Sequence, residues 1–123
     1  MVLLEVPEGT VEIQANAHRH RTDITVVRGP ASVKAIGRSA FNVCRGITTL
    51  HLAEGLESIG DYAFAYCSGI VGLHLPESLQ SIGRGAFDSC TGITSLRIPK
   101  RVQSIGGSAF LRCAGIADLD LPE

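Results

Sequence analysis

The chain has 123 residues, enough for one domain, and its 11 basic and 12 acidic residues leave a formal net charge of -1. The charges are interspersed, so the basic stripe that nucleic-acid binding needs is missing, as is a lysine-rich membrane-surface segment. Hydrophobic residues are 45% of the chain but evenly spread. No apolar run approaches the roughly 18 residues of a transmembrane helix, which argues against membrane insertion. The opening Met1-Val2-Leu3-Leu4-Glu5-Val6-Pro7 is short and lacks the charged leader of a secretory signal.

The composition follows a strict order. Cys44, Cys67, Cys90 and Cys113 are each 23 residues from the last, and so are Phe41, Phe64, Phe87 and Phe110. Every proline (Pro7, Pro30, Pro76, Pro99, Pro122) falls in one register, with Ala53 filling its gap. A fixed period of this length is the mark of a solenoid. The chain is therefore expected to be one solenoid over 1–123. It divides into a degenerate repeat at 1–23, four full repeats over 24–115, and the start of a further repeat at 116–123.

The first unit keeps register at Leu4, Val6, Pro7, Ile13 and Ala17. Gln14 stands where later units have Gly, His18 where they have Phe, and Arg21 where they have Cys. Polar groups at these positions suit an N-terminal cap, because the end unit of a solenoid needs a polar outer face.

Each later unit opens on an alternation such as Leu50-His51-Leu52, Leu73-His74-Leu75 or Leu96-Arg97-Ile98. Alternation of this kind marks a strand with one buried face. Proline, which cannot donate to a ladder, ends the strand. In the second unit Gly29 replaces the second inward Leu, which predicts a gap in the core and makes that strand the weakest. A short extended piece then runs to Ile36-Gly37, Ile59-Gly60, Ile82-Gly83 and Ile105-Gly106. Beyond it Ala40, Phe41 and Cys44 fall at spacings of three and four, which predicts a helix of about two turns with these residues on its buried face. Gly46, Gly69, Gly92 and Gly115 suit the left-handed residue that ends a helix. One such unit cannot bury enough apolar surface to offset the ordering of its backbone, so stability has to come from stacking on neighbours.

The run Leu73-His74-Leu75-Pro76 through Leu79, Ile82-Gly83, Ala86-Phe87, Cys90 and Gly92-Ile93 resembles the BspA-like subclass of leucine-rich repeats. The likeness covers nearly the whole chain. It implies an α/β fold: a curved, right-handed leucine-rich-repeat solenoid with parallel strands on one face and short helices on the other. It also implies a cell-surface or secreted protein used in adhesion and protein binding, and it carries over no catalytic residue.

Successive coils of a parallel stack lie about 4.8 Å apart, so Cys44 and Cys113 would be about 14 Å apart. Four sulfurs about 2.3 Å from one zinc ion are then excluded. Neighbouring Cys lie within disulfide range, but parallel equivalent side chains rarely reach the required dihedral. The preferred reading is a ladder of buried reduced thiols acting as small hydrophobes. The Phe column is read as core and not as a stacking platform for bases. No Ser, His and acid converge, and no lysine-bearing loop follows a strand to cradle phosphate. The chain is thus expected to be no enzyme and to need no metal or cofactor.

Two strand columns should face solvent: Glu5, Arg28, His51, His74, Arg97, Asp120, and Leu3, Val26, Thr49, Gly72, Ser95, Asp118. Solenoids bind through such surfaces. The candidate partner-binding residues are Arg28, Thr49, His51, His74, Ser95, Arg97, Asp118 and Asp120. Within them Arg28-His51-His74-Arg97 forms a weakly basic row suited to an anionic or polar patch on a protein partner. The alternative is a structural spacer with no ligand of its own. The end at Leu119-Asp120-Leu121-Pro122-Glu123 reads as a strand just begun, and an uncapped coil would favour self-association or continuation of the array.

Overall fold

The computed structural model describes residues 2–120. Two stacks of parallel strands run along the molecule, on two sides of the coils. The first holds β1 (Val2–Glu5), β3 (Ile24–Arg28), β5 (Thr49–His51), β8 (Ser95–Arg97) and β10 (Asp118–Asp120), and the second holds β2 (Glu12–Ile13), β4 (Ala35–Ile36), β6 (Ser58–Ile59), β7 (Ser81–Ile82) and β9 (Ser104–Ile105). The second stack is an unbroken five-stranded sheet in the order β2-β4-β6-β7-β9. Register follows the repeat: Val27 pairs with Leu50, Ile36 with Ile59, and Leu119 with Leu96. Leu121, Pro122 and Glu123, which complete the predicted opening of a further repeat, lie outside the described residues.

In the first stack the fourth unit contributes no strand. Only isolated bridges at Gly72, to Thr49 and to Ser95, connect β5 to β8. This corrects the expectation that the second unit's strand is weakest, since β3 is the longest of all at five residues. The reason is position. Gly29 follows the ladder, whereas Gly72 sits inside it, where the absence of a side chain weakens a strand.

The third side of each coil differs more from expectation. Among the described residues there is no helix, so the fold is all-β and the short helices of the expected α/β class are replaced by paired tight turns. In the second unit Ala40 N–H donates to the Gly37 carbonyl and Cys44 N–H to the Phe41 carbonyl, each at 3.2 Å. The third residue of each turn, Ser39 and Val43, has φ of 55° and 63°, which is the pattern of a type II turn. The N–H groups between these bonds reach the next coil: Ser39 to Asp61, Phe41 to Ala63 and Val43 to Ala65, at 2.8–2.9 Å. The adjacent sheet holds coils at about 4.8 Å, and a helix about 10 Å across cannot stack at that rise. Tight turns spend their N–H groups along the solenoid axis instead, and they still point residues i and i+3 inward. The three-and-four spacing of Ala40, Phe41 and Cys44 therefore fits both structures.

The glycines closing each unit also serve a different purpose from the one expected. The positive-φ glycines are Gly9, Gly55 and Gly85, so Gly46, Gly69, Gly92 and Gly115 are not left-handed caps. At Gly69 a Cβ would lie 2.6 Å from the Arg45 carbonyl oxygen and 2.7 Å from that of Ile47. The coil edge there is pressed against the backbone of its neighbour, and only glycine fits.

The core is the set of inward columns. Phe41, Phe64 and Phe87 are fully buried, as are Ile47, Ile70 and Ile93. The Phe rings stack at centroid distances of 5.2–5.5 Å from Phe41 to Phe110. His18 continues that stack, lying 5.2 Å from the Phe41 ring at 21°, so the first unit retains an aromatic face at the register where Phe was absent. The predicted gap at Gly29 is present. Gly29 and Ala53, with Val27, Ile36, Leu52 and Phe41, line an apolar cavity of about 10 Å³.

Candidate functional site

The outer face of the first stack displays the side chains that the strand alternation directs away from the core. Arg28, His51, His74, Arg97 and Asp120 are exposed, as are Ser95 and Asp118, while Thr49 is half-buried. The ladder places Arg28 beside His51, and Ser95 and Arg97 beside Asp118 and Asp120. His74 lies outside any strand, two residues beyond the Gly72 bridge. Beyond this break the face holds a groove of about 300 Å³ lined by His74, Ser95, Arg97, Asp118 and Asp120 with Leu73 and Leu96. Five of the eight nominated residues thus converge there, and Thr49 and His51 do not. Arg28 borders a separate depression beside Glu5 and Glu8.

The row Arg28-His51-His74-Arg97 is less basic than its sequence suggests. Arg97 forms a hydrogen-bonded ion pair with Glu77 and a longer one, 3.6 Å, with Asp120. The Arg97 hydrogen bond holds the exposed Glu77 carboxyl below the usual carboxylate range, with smaller contributions from charge. Glu77 went unnominated because it belongs to a turn and not to a strand column. Its offset of 20 residues from Arg97 is the signal, since it places Glu77 three positions past the in-register residue His74. The ion pairs leave Arg28 as the row's cation without an ion pair among the described residues.

The thiols form the column foreseen from the repeat. All four are free, and Cys44, Cys67 and Cys90 are buried. Each Sγ donates at 3.1 Å to a carbonyl of the preceding coil: Cys44 to His18, Cys67 to Phe41, Cys90 to Phe64 and Cys113 to Phe87. Burial pushes the Cys90 thiol up to about 12 and the Cys67 thiol further still. These groups remain protonated donors, and the thiolate that would act as nucleophile or metal ligand is suppressed. Among the described residues no three His, Cys, Asp or Glu side chains gather where they could share a metal ion, and no helix is long and apolar enough to cross a membrane.

A family model for the BspA type leucine rich repeat region matches residues 4–123 in 6 copies. No curated protein matches the chain. Among solved structures it is similar to the T. pallidum leucine rich repeat protein, with 33% identity and a TM-score of 0.92 over 95% of this chain and 57% of that one. A Bacteroides ovatus leucine-rich repeat protein has 27% identity and a TM-score of 0.92, over 98% of this chain and 34% of that one. A leucine rich cell surface protein from Faecalibacterium prausnitzii gives 25% identity and a TM-score of 0.92, over 98% and 32%. The chain thus spans between about a third and just over half of these proteins' lengths. With the strand ladders, the turn pairs and the match along nearly its full length, the chain belongs to the BspA-type leucine-rich-repeat family.

Proposed function

We propose that the chain is a non-enzymatic protein-interaction or adhesion module that binds a protein partner through the outer face of its first strand stack. The observation carrying this reading is the row Arg28, His51, His74, Arg97 and Asp120. It is exposed on five successive coils, on a backbone held by the second sheet and the turn-side hydrogen bonds, and its chemistry runs from basic at Arg28 through two imidazoles to acidic at Asp120. A rigid surface that presents different side chains at regular spacing is suited to selective recognition, because little entropy is lost in ordering it. Leucine-rich repeats commonly mediate protein interaction, and one structural relative is described as a cell surface protein; both support a role of this kind at a surface.

The spacer reading draws on one observation: Arg97 is already satisfied by Glu77 and Asp120. The two are separated by capturing binding proteins with the wild type and with a variant carrying Arg28, His51, His74 and Arg97 all replaced by Ala. Loss of a captured partner at unchanged thermal stability is the expected result. An identical set of partners would remove the strand face from consideration.

A further inference from the structure

The turn that follows each strand-face segment varies in sequence from coil to coil. Its second and third positions are Glu8-Gly9, Ala31-Ser32, Glu54-Gly55, Glu77-Ser78 and Lys100-Arg101 in successive units. In the fourth unit the turn is closed by Leu79 N–H donating to the Pro76 carbonyl at 3.1 Å. Its two free N–H groups both hold one carboxylate. Glu77 N–H donates to Glu54 Oε2 at 3.0 Å and Ser78 N–H to Glu54 Oε1 at 3.2 Å. Two consecutive backbone N–H groups gripping both oxygens of an anion form a nest, and here the occupant comes from the preceding coil.

The fifth unit repeats that turn, closed by Val102 N–H donating to the Pro99 carbonyl at 3.3 Å. By the repeat, Glu77 is the residue that would fill its nest. Glu77 is instead drawn to Arg97, and no protein acceptor among the described residues meets the N–H groups of Lys100 and Arg101. The turn is also the one in which the column changes sign: both nest residues are cationic and exposed. Two convergent backbone donors, two flanking cations and a demonstrated carboxylate mode one coil away share a single chemistry. We infer that the Pro99–Val102 turn is a carboxylate-binding site, taking the side chain of an acidic residue from a binding partner. The inference stands on turn geometry and is independent of which part of the strand face is used.

The test separates the backbone donor from mere charge. The ¹⁵N-labelled protein is titrated with a tetraglutamate peptide at constant ionic strength, with tetraglutamine as the uncharged control. Saturable downfield shifts of the Lys100 and Arg101 amides are expected with the first peptide and not with the second. Lys100→Ala removes a charge, while Lys100→Pro removes the same charge and the N–H. Proline is compatible with the second position of such a turn, so the fold is retained. Lys100→Pro is expected to bind about tenfold more weakly than Lys100→Ala, the size of one charge-assisted hydrogen bond. Glu77→Gln, which removes the internal competitor, is expected to tighten binding. Equal affinities of the two Lys100 variants, or shifts scattered over the surface without saturation, would overturn the site.

Discussion

His18 carries an unusual load for a residue in a decayed repeat. It ends the aromatic stack on Phe41, and its carbonyl accepts the Cys44 thiol. Burial, and then the charge of Arg21, hold its pKa below the ordinary 6.5. The folded form therefore resists a proton that the unfolded chain accepts. Above 6.5 the ring is neutral in both states and its contribution is complete; below 6.5 that contribution falls until the pH passes the lowered folded value. The melting temperature should drop between about pH 7 and pH 5. The other histidines are common to both proteins, so a flatter profile in His18→Phe measures the His18 share. An identical slope in that variant would show that His18 does not set it. Gly29 offers a second test at this scale. A Cβ there would find only the His51 carbonyl oxygen, at 3.8 Å, beside an apolar cavity of about 10 Å³. Gly29→Ala adds one methyl to that space and removes glycine's backbone freedom, so denaturant unfolding should show a gain of about 1 kcal/mol. Destabilisation would mean that the cavity walls do not accept even a methyl.

At the scale of the element, the inward and outward faces of the strand segments were legible, while the strand expected at Leu73-His74-Leu75 is absent and the third side was not legible. The alternation in Leu50-His51-Leu52 places Leu50 inward and His51 outward, because side chains on a pleat leave no other choice. The spacing of Ala40, Phe41 and Cys44 had two solutions, and the rise between coils, a property of neighbouring units, selects the turns. For the same reason the Arg97–Glu77 pair was hidden: it joins a strand of one coil to a turn of another. The closing glycines were assigned by helix logic and turn out to mark close approach. Gly69→Ala distinguishes these roles. A Cβ pressed against the carbonyl oxygens of Arg45 and Ile47 forces two coils apart, at a cost of about 2–3 kcal/mol. An alanine at a site with ordinary φ and open space would cost far less. A thermal melt within error of the wild type would return Gly69 to a merely local role.

For the whole molecule, stability is a sum over interfaces between adjacent coils, and the interface of the third and fourth units is thinned on one of its sides. On the second sheet it is intact, with Ser58 and Ile59 paired to Ser81 and Ile82. On the turn side Tyr62, Phe64 and Tyr66 donate to Arg84, Ala86 and Asp88 at 2.7–2.8 Å. On the strand face it is reduced to the bridge at Gly72. Opening free energies vary across a structure with local hydrogen bonding, so strand-face amides of the fourth unit should exchange with solvent faster than Gly83, whose N–H is bound to Ile59 at 2.8 Å. A Cβ at Gly72 would touch nothing within 4 Å, which leaves room for a residue that favours strands. Gly72→Thr, matching Thr49 in the coil above, should extend the ladder across the break, slow exchange on both sides of it, and raise stability by about 1 kcal/mol. The gain should appear in the strand-face amides before those of the second sheet, because only the first ladder is being mended. If exchange at the strand face stays as fast in Gly72→Thr as in the wild type, the break is set by the path of the chain around His74 and not by the missing side chain.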